Sequence, residues 1–159
     1  MAREPESPDR LIAQNRRASH DYFILDTFEA GLVLAGTEVK SLRQGKASLA
    51  EAYATIENGE AWVLQLHIPP YVQGNRWNLD PVRRRKLLLH RAEIAKLEKA
   101  VTQKGQTLVP LKLYFARGYA KLLLGVGKGK KTHDKRQTIA ERDARREMQR
   151  ARRAGERGA

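Results

Sequence analysis

Two short apolar runs, 53–57 and 61–66, are split by Asn58-Gly59, and this feature most narrows what the chain can fold into. An Asn-Gly pair takes positive φ at two successive positions with little strain, which turns one strand back antiparallel against the next. The device recurs at Arg117-Gly118, between runs 108–115 and 119–126. Residues 22–28 are rich in β-branched and aromatic side chains and end at Glu29-Ala30-Gly31, and 32–39 form another apolar run, broken by Gly36. Between the hairpins, Ile94, Leu97 and Val101 share one helical face over 92–104, with Gly105 placed to end it. A shorter helical turn fits 38–43. The expected fold is mainly β: an OB-like Greek-key barrel of about six strands with one or two helices, since a helix between two hairpin groups suits a closed sheet better than a sandwich. Tyr22, Phe23, Trp62 and Phe115 alternate as core residues do, leaving Tyr71, Trp77 and Tyr119 as candidate exposed platforms.

The apolar supply stops at Val126. Beyond it the sizeable apolar side chains are Ile139 and Met148, too few to offset the entropy of ordering the segment. The chain is therefore divided into a flexible N-terminus over 1–12, with Pro5 and Pro8, a barrel over 13–126, and a basic tail over 127–159 that is disordered or helical on binding. The tail carries 12 of the chain's 31 Lys and Arg but 5 of its 18 Asp and Glu. A net charge of +13 favours a polyanionic partner, nucleic acid ahead of an acidic membrane.

Several chemistries are set aside. Without cysteine there are no disulfides, iron–sulfur clusters or thiol nucleophiles. No apolar run is long enough to span a bilayer, and no secretory signal opens the chain, so the expected setting is cytoplasmic, with no membrane partner. His20, His67, His90 and His133 lack metal-ligand spacing, and no Gly-rich phosphate loop follows a strand. The alternation Gly125, Gly127, Gly129 reads as a flexible strand exit. No nucleophile–base pair stands out. The expectation is a binding protein with no cofactor, no metal and no catalytic residue, acting as a monomer.

Three basic clusters carry the binding argument: Arg83-Arg84-Arg85-Lys86 in an expected loop before Leu87-Leu88-Leu89, then Lys128, Lys130 and Lys131, then Lys135 and Arg136. Ten aromatic residues are a thin supply for stacking a long single strand, so folded RNA, recognised by shape and phosphates, fits better. Projected as a helix, Arg142, Arg145, Arg146, Arg150, Arg152, Arg153 and Arg157 fall within an arc of roughly 160°, opposite Ala140, Ala144, Met148 and Ala151. Such a segment folds naturally where it meets phosphates.

The segments NRRASHDYFI (15–24), EAGLVLAGTEVKSLRQGKASL (29–49), PPYVQGN (69–75), DPVRRRKLLLH (80–90), TLVPLKLYF (107–115) and GKGKKTHDKR (127–136) together resemble the small protein B, or SsrA-binding, family. The resemblance runs from Asn15 to Arg136 and continues more loosely through the tail. It implies an OB-type barrel with no enzymatic activity, which binds the tRNA-like domain of transfer-messenger RNA. The RNA is then delivered to stalled ribosomes for trans-translation, with the aminoacyl-tRNA-carrying elongation factor as an indirect partner. It places Glu29, Leu88, His90, Lys121, Lys128 and Gly129, with Lys130 and Lys131, on the RNA-binding face, supported by Asn15, Arg17, His20 and Tyr22. His133, Asp134, Lys135 and Arg136 would serve in the ribosomal decoding centre, and the arginines from Arg142 to Arg153 would line the empty mRNA channel. Outside the resemblance, Leu88 reads as core and Glu29 as a strand-end carboxylate. Besides His90, which stands where some members have asparagine, two departures carry implications: Gly127, where many have alanine, would loosen the hinge between barrel and tail, and the tail is Arg-rich where others use more lysine, which would favour bidentate phosphate contacts.

Overall fold

The computed structural model describes residues 10–72, 79–130 and 132–157. Its elements in chain order are β1 (Arg10–Gln14), α1 (Ala18–Asp21), β2 (Tyr22–Leu32), α2 (Gly36–Arg43), β3 (Tyr53–Glu57), β4 (Glu60–Leu64), β5 (Arg85–Leu88), α3 (Arg91–Thr102), β6 (Thr107–Ala116), β7 (Tyr119–Gly129) and α4 (Thr132–Arg157). Seven strands form one antiparallel sheet in the order β1-β6-β7-β2-β5-β4-β3. Strand β3 packs back against β6, and α3 lies against both, so the sheet curls into an OB-like barrel with a helix across its seam.

Both hairpins form where the turn chemistry places them. Asn58 and Gly59 have φ of 51° and 74°, and Arg117 and Gly118 have 51° and 80°. Each pair meets the positive-φ demand of a two-residue hairpin. Gly105 also takes positive φ, three residues past the end of α3. The core is aliphatic. Phe28 and Ala30 of β2, Leu87 of β5, Leu113 of β6, and Leu122 and Leu124 of β7 point inward, joined by Leu42 of α2 and Leu97 of α3. Alternation along β2 and β7 therefore sends Glu29, Gly31 and Lys121 to the opposite, outward face.

Several sequence expectations are corrected. The mainly β, OB-like architecture is as expected, with seven strands and four helices among the described residues where the sequence predicts about six and one or two. Residues 10–12, placed in the loose N-terminus, belong to β1, which pairs with β6. The run 32–39 is not a strand: Leu32 ends β2, and α2 opens at Gly36, capped by the Glu38 carboxylate accepting the Ala35 N–H at 2.9 Å. Phe23 is not core but 44 % exposed. Strand β7 continues to Gly129, and Gly127 is buried in it opposite Ile24. A Cβ on Gly127 would lie 3.1 Å from that of Tyr22, so this glycine serves close packing and not a hinge. Finally α4 is one 26-residue helix from Thr132, about 39 Å long, against which α1 packs.

Candidate nucleic-acid interface

The outward face carries one well-defined cluster. Across β6, β7, β2 and β5 the register aligns Tyr114, Lys121, Gly31 and Leu88 in a single row. Leu88 is 53 % exposed although it sits within an apolar triplet. It lies over Gly31, where a Cβ would approach its own Cβ to 3.3 Å, so glycine lets the leucine pack flat. Glu29 precedes Gly31 by two residues on the same face, half-buried. The Tyr114 hydroxyl donates to Glu29 Oε2 at 2.5 Å. Lys121 is half-buried beside them. An acceptor, an apolar platform and a cation are thus displayed together on a rigid sheet. His90 follows at the exposed N-terminus of α3, where its N–H donates to Glu93 Oε1 at 3.1 Å.

The arginine cluster at 83–86 lies elsewhere in function. Arg85 is fully buried: Nε donates to Glu38 Oε2 at 2.5 Å, and the terminal nitrogens donate to the carbonyls of Leu66 (2.6 Å), Arg83 (3.2 Å) and Pro81 (3.1 Å). Arg83 grips the same carboxylate with Nε and Nη2, at 3.2 and 2.5 Å. Burial alone would raise the Glu38 carboxyl, but the Arg83, Ala35 and Arg85 hydrogen bonds outweigh it and hold it below the ordinary carboxylate value. Burial pulls Arg85 down, opposed by Glu38. Arg84 stacks 3.9 Å from the Trp62 ring centroid and pairs with Glu57 at 3.1 Å, while Lys86 pairs with Glu60 at 3.4 Å. Arg83 and Arg84 lie in the expected loop, Arg85 and Lys86 open β5, and each of the four has a carboxylate partner within the fold.

A second basic patch surrounds the end of β7. Lys128 and Gly129 are exposed there, roughly 24 Å along the strand from Lys121. Lys130 is held by the protein: Nζ donates to the Ser19 carbonyl at 2.8 Å and sits 4.8 Å from the Phe23 centroid. Tyr22 packs over Gly127, and His20 Nδ1 lies 2.8 Å from Asp21 Oδ1. Asn15 Nδ2 donates to the Pro110 carbonyl at 3.1 Å, tying the β1–α1 connection to β6. Arg17 stays exposed. The expected RNA-contact residues therefore divide between two ends of one sheet. Lys131 and Trp77 lie outside the described residues. Among the described residues no group of three or more His, Asp or Glu could hold a metal ion, and no helix is long and apolar enough to cross a membrane.

A family model described as "SmpB protein" matches residues 12–154. The chain belongs to the SmpB protein family. It is 58 % identical to the SsrA-binding protein of Anoxybacillus flavithermus over 92 % of this chain and 96 % of that one. With the SsrA-binding protein of Acetivibrio thermocellus it shares 59 % identity over 94 % and 96 % of the two chains. A chain solved in "tmRNA-SmpB: a journey to the center of the bacterial ribosome" is 55 % identical, with a TM-score of 0.64 over 79 % of this chain and 87 % of that one.

For this SmpB-family chain, sequence reasoning missed Tyr114. It occupies an outward position but is 2 % exposed, and its neighbour Phe115 drew attention as the aromatic of that strand. In α4, Arg136, Arg142, Arg145, Arg146, Arg150 and Arg153 are exposed. Residues 133–135 are helical, but the side chains of His133, Asp134 and Lys135 lie outside the described set.

Proposed function

We propose that this protein is an RNA-delivery factor that binds the tRNA-like domain of transfer-messenger RNA and brings it to stalled ribosomes for trans-translation. The observation that carries the reading is the Glu29–Leu88–Lys121 cluster on the outward face, in a chain of the SmpB family. A carboxylate amid a chain of net charge +13 is out of place for phosphate contact, but suits hydrogen-bond donors of base or ribose. Leu88 offers an exposed base an apolar surface, and Lys121 neutralises backbone charge. His90 borders this face. Lys128, Gly129 and Lys131 extend the phosphate contacts, with Asn15, Arg17, His20, Tyr22 and Lys130 shaping the end of the sheet that presents them.

The division of labour we propose is a barrel that docks the RNA and a tail, past β7, that tests the ribosome. His133, Asp134, Lys135 and Arg136 would enter the decoding centre, and α4 would lie in the vacant mRNA channel with its arginines on rRNA phosphates. Messenger RNA in that channel would exclude the helix by volume, so the tail reports vacancy. The elongation factor that carries aminoacyl-tRNA takes part through the charged RNA. Action is by binding in the cytoplasm, without catalysis.

Gel-shift competition tests this. Binding to transfer-messenger RNA should survive an excess of bulk tRNA, and Glu29→Arg should weaken it although the added charge favours any polyanion. Equal competition by bulk tRNA would instead mark another ribosome-associated OB-fold factor, and unchanged binding by Glu29→Arg would remove the cluster from the interface.

A further inference from the structure

Glu29 and Tyr114 sit on strands separated by β7, yet their side chains meet across it. Two strand spacings are close to 10 Å, so the contact requires both side chains to lean toward each other over the outward face. Tyr114 is almost fully covered and locked by its surroundings, whereas Glu29 is half-buried. Among the described residues the Glu29 carboxylate makes no ion pair, and Lys121, close by in the register, makes none either. A glutamate on a strand face has three side-chain torsions, and an unrestrained one spreads over many rotamers.

We infer that Tyr114 is the positioning residue for Glu29: its hydroxyl anchors Oε2, which fixes the carboxylate plane and presents Oε1 to an N–H or O–H donor of the bound RNA beside Leu88. An ionised carboxylate has about four acceptor directions, and a single tyrosine hydroxyl occupies one, so anchoring leaves acceptor capacity for the ligand. The gain lies in ordering before binding: the side-chain entropy is lost in the free protein, and RNA association need not supply it. The same hydrogen bond makes the carboxylate's place on the face independent of the lysine, so the two opposite charges are presented separately and not as a closed ion pair. This inference rests on the proposed role of Glu29 and names the residue that makes that role specific.

The test is a double-mutant cycle in the full-length protein, with affinity for the isolated tRNA-like domain and thermal stability both measured. Tyr114→Phe keeps the ring and removes the hydroxyl. It should lower affinity about 3- to 10-fold, the cost of ordering one flexible side chain on binding. In a Glu29→Ala background, where no acceptor is left to anchor, the same change should lower affinity no further, and its cost in thermal stability should be smaller than in the parent because the hydrogen bond is already gone. A purely structural tyrosine would lower affinity equally in both backgrounds, and that result overturns the inference. So does a Tyr114→Phe protein that binds as tightly as the parent while Glu29→Ala binds weakly. If Glu29→Ala itself binds unchanged, the failure belongs to the proposed interface.

Discussion

The chain holds two sets of arginines that look alike in sequence and have opposite fates. Arg83 and Arg84 lie just before β5 and Arg85 opens it, and carboxylates meet all three: Glu38 takes Arg83 and the buried Arg85, and Glu57 with Trp62 takes Arg84. Arg142, Arg145, Arg146, Arg150 and Arg153 lie on an exposed helix with no such framework. A basic run predicts a polyanion partner only where the fold leaves it unmatched. Near an apolar triplet the strand draws one arginine inward, and a buried guanidinium must then collect acceptors for its donors. In the tail no core exists to draw anything inward.

The sharpest way to break this contrast is Arg85→Met. It strands Glu38 in a buried site with one fewer partner and leaves the carbonyls of Leu66 and Pro81 without their donor, an expected loss of about 3–5 kcal/mol. Thermal melting should shift down by roughly 10–20 °C. A shift under 2 °C would show that the buried cluster is not holding α2 to β5. Pairing the change with Glu38→Leu should recover part of the loss, since a matched apolar pair avoids the unpaired charge.

A smaller effect sharpens the same point through pH. The Glu38 carboxyl titrates lower in the folded chain than in the unfolded one. Its contribution is therefore complete above the unfolded carboxylate value and is lost as pH falls through the lower, folded value. In acid, Glu38→Gln should flatten the slope of stability against pH by up to about 1.4 kcal/mol per pH unit relative to the parent, read by chemical denaturation between pH 5 and 2, on the order of one proton's linkage. An unchanged slope would mean the carboxylate is not held by its arginines. Smaller still is Arg84→Ala, whose stacking on Trp62 at a half-exposed site is expected to be worth about 0.5–1 kcal/mol.

How far these fates were legible depends on the kind of signal. Turns with a local mechanism, Asn58-Gly59 and Arg117-Gly118, were readable, because positive φ is a demand on two residues alone. The helix α3 was readable from its apolar spacing. Strand β1 was not, because five residues at a sheet edge owe their structure to β6. Strand β5 was obscured by the arginine that opens it: burial of Arg85 requires Glu38, 47 residues earlier, and no local pattern reports such a pair. Phe23 was misread because β2 runs past the end of the core, so inward alternation no longer implies burial. The Glu29, Leu88 and Lys121 cluster was named only through family resemblance, and the register explains why composition could not find it. Its members come from three strands far apart in sequence. Tyr114, the fourth member, carried no signal distinct from its neighbours.

The other half of the contrast predicts an effect on binding without one on stability. Replacing Arg142, Arg145 and Arg146 together by Ala should leave the melting midpoint of the barrel within about 1 °C of the parent, since exposed substitutions away from a core are close to neutral. Alanine also keeps helix propensity, so the helical content of α4 should not fall. What should change is the salt dependence of association with vacant ribosomes. Each phosphate contact removed is expected to reduce the slope of log K against log salt by about 0.7–0.9, so three arginines that all touch rRNA would reduce it by roughly 2–3. Affinity for the isolated tRNA-like domain should stay unchanged, because those arginines belong to α4, past β7, and not to the Glu29–Leu88–Lys121 cluster proposed to hold that RNA. A lowered melting midpoint would show that α4 contributes to the folded core, and an unchanged salt slope on ribosomes would show that the tail's charges, like those of Arg83 and Arg85, already have their partners within the protein.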